Sequence, residues 1–129
     1  MIVLDTCALL WWTLEPASLS SKALEICKKA ESAKEIAISS ISIWEIALKA
    51  KQGKLDLGIS IEKYVGLLEK VESLTIEPVH HNTFIKSVGL SWEHRDPVDR
   101  TIVALATKLH ATLVTKDKII RQFYKKAIW

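Results

Sequence analysis

Short apolar runs alternate with longer amphipathic stretches along this chain. The runs at 1–4, 36–39, 74–76 and 111–115 are bounded by polar or turn-forming residues, which is typical of buried β-strands. A further short run at 127–128 fits an edge strand. Between the runs, apolar residues recur at helical spacing. This alternation predicts an α/β fold with a parallel sheet and helices on both of its faces.

Two helix starts carry the functional interpretation. Asp96 is a good N-cap and is followed by Pro97, so a helix should begin there and continue to about His110. The serines Ser40–Ser42 precede a second apolar stretch, which predicts a helix over 43–52. Both helices carry an acidic residue among apolar neighbours close to their predicted starts.

Four acidic residues fall where strands end or helices begin. Asp5 follows the first predicted strand and Asp117 follows the fourth, whereas Glu45 and Asp99 stand in the first turns of their helices. In a parallel sheet, the carboxyl ends of the strands and the starts of the helices that follow share one edge. We therefore expect these four acids to converge on one crevice from four separate segments.

A structural explanation remains open for three of these acids. Asp5 could simply cap the helix that follows it. Glu45 could close a capping box with Ser42, and Asp99 could do the same with Asp96. Only their convergence favours a functional role.

Convergent carboxylates favour a bound divalent cation. Two of them about 4 Å apart repel by roughly 4 kcal/mol at an effective dielectric near 20, and a cation removes that conflict. Ligand sets made only of oxygen select Mg²⁺ or Mn²⁺ over zinc, and such a metal activates water for attack on a phosphodiester. Basic side chains near the same edge are candidates for binding the phosphates of a polyanion. These are Lys49, Lys51, Arg95, Arg100, Lys116 and Lys118.

Composition narrows the class of protein without identifying it. With 129 residues, we expect a single domain over 1–129. The net charge of +3 allows contact with nucleic acid but does not argue for it. Cys7 and Cys27 lack metal-ligand spacing, and they fit a reducing cytoplasm. No segment approaches the roughly 20 apolar residues of a membrane span, and the start of the chain lacks the pattern of a secretory signal.

Four segments together resemble the signatures of the PIN-domain family, and more narrowly its VapC-type toxins. The segments are Leu4–Thr6, Ser42–Ala47, His94–Arg100 and Val114–Asp117. The resemblance covers essentially the whole chain. It implies an α/β/α sandwich and an Mg²⁺- or Mn²⁺-dependent ribonuclease. It also implies that Asp5, Glu45, Asp99 and Asp117 are the catalytic and metal-binding acids, with supporting roles for Thr6, Asp96 and Thr115.

The same resemblance implies partners as well as chemistry. It implies an RNA substrate, a homodimer and a cognate antitoxin, for which the 9–12 segment and the helix around Trp44 are candidate surfaces. Two alternatives stay open. One is another Mg²⁺-dependent phosphohydrolase, although Cys7 stands where phospho-aspartate enzymes usually place a second acid. The other is a non-catalytic domain that binds RNA or protein.

Overall fold

The computed structural model describes residues 1–129 and contains one sheet of five strands, all parallel. The strands are β1 (Ile2–Leu4), β2 (Ile36–Ser39), β3 (Leu74–Glu77), β4 (Thr112–Val114) and β5 (Ala127–Ile128). The helices are α1 (Thr6–Leu14), α2 (Ser21–Ala33), α3 (Ser40–Lys51), α4 (Ile61–Glu69), α5 (His81–Val88), α6 (Pro97–Lys108) and α7 (Lys118–Phe123). The predicted α/β fold is confirmed.

The strand order β3-β2-β1-β4-β5 places the first strand in the middle of the sheet. The chain adds strands outward on one side as far as β3, and then crosses over to begin the other side with β4. The crevice between the carboxyl ends of β1 and β4 is therefore the point where the strand order reverses. Open parallel sheets bind their ligands at such a point.

The sheet separates two apolar cores, because alternate residues of each strand point to opposite faces. Ile2 and Leu4 of β1 pack with α1, α2 and α4, whereas Val3 packs with α6 and α7. Burial on both faces explains why the central strand β1 is continuously apolar. The result is three layers, with helices on both sides of the sheet.

Helix α3 begins three residues earlier than the serine pattern suggested. Its N-cap is Ser39, whose hydroxyl accepts a hydrogen bond from the amide of Ile41 at 3.2 Å. Glu45 therefore stands in the second turn, and the predicted capping box between Ser42 and Glu45 is wrong. The Ser42 hydroxyl is instead buried and accepts a hydrogen bond from Thr6.

No helix is both long enough and apolar enough to cross a membrane.

Candidate active site

Asp5 lies at the carboxyl end of β1, beside the crevice. Its backbone amide donates to the carbonyl of Val114 at 3.2 Å, which ties the end of β1 to the end of β4. Its Oδ1 accepts from the amide of Ala8 at 2.8 Å, so Asp5 does cap α1. Capping uses one lone pair of the carboxylate and leaves others available. The structural and functional interpretations of Asp5 are therefore compatible.

Thr115 and Asp117 approach Asp5 from the end of β4. The fully buried Thr115 hydroxyl accepts a hydrogen bond from the amide of Asp117 at 3.1 Å, and Thr115 is also hydrogen bonded to the Asp5 carboxylate. Asp117 caps α7 through its Oδ1, which accepts from the amide of Ile119 at 2.7 Å. Thr115 thus links the two acids at the crevice.

Burial and neighbouring charges shift the ionisation of Asp5. Burial raises the pKa of this carboxyl to about 6, even though hydrogen bonds from Thr115 and from the amide of Ala8 favour its charged form. The negative charges of Asp99 and Asp117 raise the pKa further. The charges of Asp5, Asp99 and Asp117 thus influence one another's ionisation, whereas Glu45 is not among the groups that shift the pKa of Asp5 or Asp99.

Asp99 is held by a histidine rather than by a capping box. Asp96 caps α6 alone, since its Oδ1 accepts from the amides of Val98 and Asp99 at 2.8 and 3.2 Å. The Asp99 Oδ2 instead lies 2.7 Å from His94 Nε2. Burial raises the pKa of Asp99, whereas the hydrogen bond with His94 favours the ionised form. The capping-box alternative for Asp99 is therefore wrong.

His94 is the residue of this site that sequence reasoning missed. Its imidazole and the carboxylates of Asp96 and Asp99 place one ligand atom each within 4.8 Å of one another, and no other group of three such side chains does so. The four predicted acids are thus less tightly clustered than these three. His94 lies in a loop, where no helical or strand period indicates which way its ring points.

The remaining predicted residues lie on α1 and α3. The Glu45 side chain is largely buried. Its negative charge helps to raise the pKa of the Cys7 thiol, and Cys7 directly follows Asp5 and Thr6 in the sequence. Its Oε2 lies 3.8 Å from Lys49 Nζ. The Thr6 hydroxyl donates to Ser42 Oγ at 3.0 Å, which fastens the start of α1 to α3. Thr6 therefore connects two elements of the site.

The prediction that Arg100 contacts RNA phosphate is wrong. All five of its N–H donors bind backbone carbonyl oxygens of the segment between α5 and α6 or of the end of α5. The acceptors are Ser87, Val88, Leu90, Trp92 and His94, at distances of 2.6–3.1 Å. Arg100 has no donor left for a phosphate.

Other predicted cations remain accessible. Arg95 is exposed and makes no hydrogen bond within the chain, whereas the exposed Lys116 lies over the Trp11 ring, 5.7 Å from its centroid. Lys51 and Lys118 are also exposed. Arg95, Lys116 and Lys118 adjoin Asp96 and Asp117 in the sequence, so positive charge lies beside the acidic crevice. Lys51 ends α3 at the end opposite the crevice, and the prediction that it contributes to this rim is wrong.

The donor chemistry of the crevice fits a hard divalent cation. Asp5, Asp99 and Asp117 offer carboxylate oxygens, and the raised pKa of Asp5 reports a buried negative charge that lacks full compensation. Mg²⁺ and Mn²⁺ prefer such ligands. The residues present therefore fit the metal that the sequence predicted.

Comparison with known proteins decides the family. The sequence profile of the PIN domain matches residues 2–126. The chain belongs to the PIN-domain family. It is 34% identical over 122 residues to Ribonuclease VapC22 from Mycobacterium tuberculosis, a match that covers 93% of this chain and 89% of that protein. The family predicted from four short segments is confirmed.

A solved structure supports the fold independently. The crystal structure of FitAcB from Neisseria gonorrhoeae is similar with a TM-score of 0.59 and 19% sequence identity. The similarity covers 100% of this chain and 96% of that one. At this level of identity the comparison establishes the shared fold of this PIN domain.

Two further surfaces of the domain are largely apolar. One, the Trp12 groove, is a cavity of about 500 Å³ between α1, α2 and α4. Its apolar lining includes Trp12, Leu14, Leu24, Tyr64, Leu67 and Val71. The other, the Trp44 face, joins α3, α5 and α6 and exposes Trp44, Phe84 and Val88. The Trp12 groove contains Trp12, which ends the predicted 9–12 segment. The Trp44 face contains part of the predicted helix around Trp44.

Proposed function

We propose that this PIN domain is a metal-dependent endoribonuclease. The observation that carries the proposal is the placement of Asp5 and Asp117 at the adjoining ends of β1 and β4, joined by the hydrogen bond from the Asp5 amide to the Val114 carbonyl, at the crevice where the strand order reverses. Binding of RNA alone gains nothing from buried negative charge, whereas a divalent cation requires it. The 34% identity to a ribonuclease over most of the chain supports the same reaction class.

The proposal assigns separate tasks to the residues of the site. Asp5, Glu45, Asp99 and Asp117 hold Mg²⁺ or Mn²⁺, while Asp96 fixes the start of α6 and Thr115 fixes Asp5 against Asp117. The bound metal supplies activation of water and neutralisation of charge on the phosphodiester.

Exposed cations orient the RNA strand. Arg95 and Lys116 flank the acids in sequence, and Lys49 lies beside Glu45 on α3. Phosphate contacts of this kind position a nucleic acid without reading its sequence. We therefore expect these residues to set affinity more than the choice of cleavage site.

The activity is tested with a random-sequence RNA pool, which removes dependence on one chosen target. Wild type is expected to produce fragments with Mn²⁺, and neither EDTA-treated protein nor Asp99→Asn should do so. Calorimetric titration of Mn²⁺ accompanies the assay. Metal binding without cleavage would overturn the nuclease in favour of a non-catalytic domain. Hydrolysis of p-nitrophenyl phosphate without RNA cleavage would indicate a phosphohydrolase.

We further propose that this nuclease is the toxin of a toxin–antitoxin pair and acts as a cytoplasmic homodimer. The lining of the Trp44 face contains no charged residue, as suits the core of an interface between two copies. The Trp12 groove has an apolar floor with Lys28 and Glu31 in its lining, which fits an amphipathic helix of the antitoxin. A short neighbouring reading frame whose product co-purifies with the chain and suppresses cleavage would support the pairing. A product that leaves cleavage unchanged would contradict it.

A further inference from the structure

The segment between α5 and α6 has few backbone hydrogen bonds of its own. Residues 89–96 belong to no helix or strand, and the amide of Trp92 donates to the carbonyl of Leu90 at 2.8 Å. Most carbonyls of the segment would otherwise lack a partner within the protein. Arg100 supplies the partner of the Trp92 and His94 carbonyls, and it gives the Leu90 carbonyl a second donor. One side chain therefore determines much of the path of this loop.

Two of these hydrogen bonds fix the backbone on either side of the His94 ring. Arg100 Nη1 donates to the carbonyl of Trp92 at 2.6 Å and to that of His94 at 2.9 Å. The Trp92 ring contacts the His94 ring, with centroids 4.8 Å apart, and stacks on Phe123 of α7 at 4.6 Å. The imidazole thus has both a fixed backbone and a fixed neighbour.

The fixed imidazole meets the carboxylate that opens α6. His94 Nε2 lies 2.7 Å from Asp99 Oδ2, and an ionised carboxylate can only accept, so the Nε2 carries the proton. This bond occupies one oxygen and selects one orientation of the Asp99 carboxylate. Partners of metal ligands typically change metal affinity 10- to 100-fold when they are removed.

We propose that Arg100 is a positioning residue for the metal site, acting through His94 on Asp99. The proposal rests on the proposed function, because it requires Asp99 to hold the metal. Arg100 and Asp99 are adjacent in sequence, yet their side chains do not contact the same groups. Asp99 is bound by the His94 ring, whereas Arg100 binds backbone carbonyls such as that of Ser87. The arginine fixes the loop, the loop fixes the imidazole, and the imidazole orients the acid.

The test is a double-mutant cycle read by calorimetric titration of Mn²⁺ into the intact protein. His94→Gln and Arg100→Lys should each weaken Mn²⁺ binding, His94→Gln by about 10- to 100-fold. The double variant should bind no more weakly than His94→Gln alone, because both changes break one chain of contacts. Lys126→Gln is the matched control, since Lys126 also donates to a backbone carbonyl, that of His110 at 3.1 Å, at the end of β4 opposite Asp117. It should bind Mn²⁺ like wild type.

Different results separate this proposal from the proposed function. If wild type binds no Mn²⁺, the proposed function fails. If wild type binds Mn²⁺ and Arg100→Lys lowers the melting temperature without changing the affinity, Arg100 is only structural and the positioning proposal fails. Losses that add in the double variant would also overturn it. Should Arg100→Lys not fold, Arg100→Gln, which keeps two N–H donors, replaces it in the cycle.

Discussion

The amide of Asp5 donates a hydrogen bond to the carbonyl of Val114, the last residue of β4. This contact joins Asp5 to the strand that precedes Asp117. It fixes the end of β1 next to the end of β4. Asp5 and Asp117 consequently flank the crevice at which Asp99 also acts electrostatically.

Asp99→Asn should lose Mn²⁺ binding and RNA cleavage while keeping its fold. The amide preserves the size of the side chain, but it removes one negative charge from a site where carboxylates repel one another. We expect Mn²⁺ affinity to fall at least about 10-fold and the metal-free melting temperature to stay constant or rise. Calorimetry and circular dichroism measure the two effects. Wild-type metal affinity in the variant would remove Asp99 from the site.

The contribution of Asp5 to the stability of the metal-free protein should fall as pH rises from about 4 to 6. The pKa of Asp5 is raised to about 6 by burial, so its contribution is fully present below its ordinary pKa near 4 and is lost through pH 6. The full effect is on the order of 3 kcal/mol. Asn also caps helices, so Asp5→Asn should remove this pH dependence without breaking α1.

Urea unfolding in EDTA at several pH values measures that contribution. Other groups titrate in the same range, so the quantity to compare is the difference between wild type and Asp5→Asn. This difference should favour the variant increasingly from pH 4 to pH 7. A difference independent of pH would mean that Asp5 has an ordinary pKa.

Arg95→Ala should weaken RNA binding more strongly at low salt than at high salt. The exposed guanidinium makes no hydrogen bond within the chain, and each phosphate contact adds about 0.7 to the salt slope for single-stranded RNA. Fluorescence anisotropy in the Asp99→Asn background avoids cleavage. Lys108→Ala is the control, because this exposed lysine ends α6 at the end opposite Asp99. Equal slopes for Arg95→Ala and the parent would exclude the phosphate contact.

Trp44→Glu should convert a dimer into monomers. Trp44 is 56% exposed on an apolar face, and burying a charge there would cost more than the face can supply. Sedimentation velocity measures the change. Leu67→Glu in the Trp12 groove carries the same charge at a residue 50% exposed, and it should leave the dimer intact. A dimer that survives Trp44→Glu and dissociates with Leu67→Glu would mean that the Trp12 groove, and not the Trp44 face, is the dimer interface.

The sequence by itself determined the element types and the position of each acid relative to a strand end or a helix start. Continuous apolar runs such as 1–4 can be buried only in a sheet covered on both faces, and Asp96 with Pro97 specifies a helix start through local backbone chemistry. Capping preferences alone did not identify the N-cap of α3, because Ser39, Ser40 and Ser42 are all residues that cap helices well. Ser39 caps α3, and the Ser42 hydroxyl pairs instead with Thr6, a contact between distant segments that capping preferences do not encode.

Only the tertiary structure decided how the side chains near the crevice are used. Arg100 resembles any surface cation in the sequence, yet it binds five carbonyls because a loop without regular structure folds around it. His94 contacts Asp99 because that loop returns to the start of α6. Strand order likewise places β1 beside β4. Each of these facts depends on contacts between separate segments, which periodicity and capping, being local, do not encode.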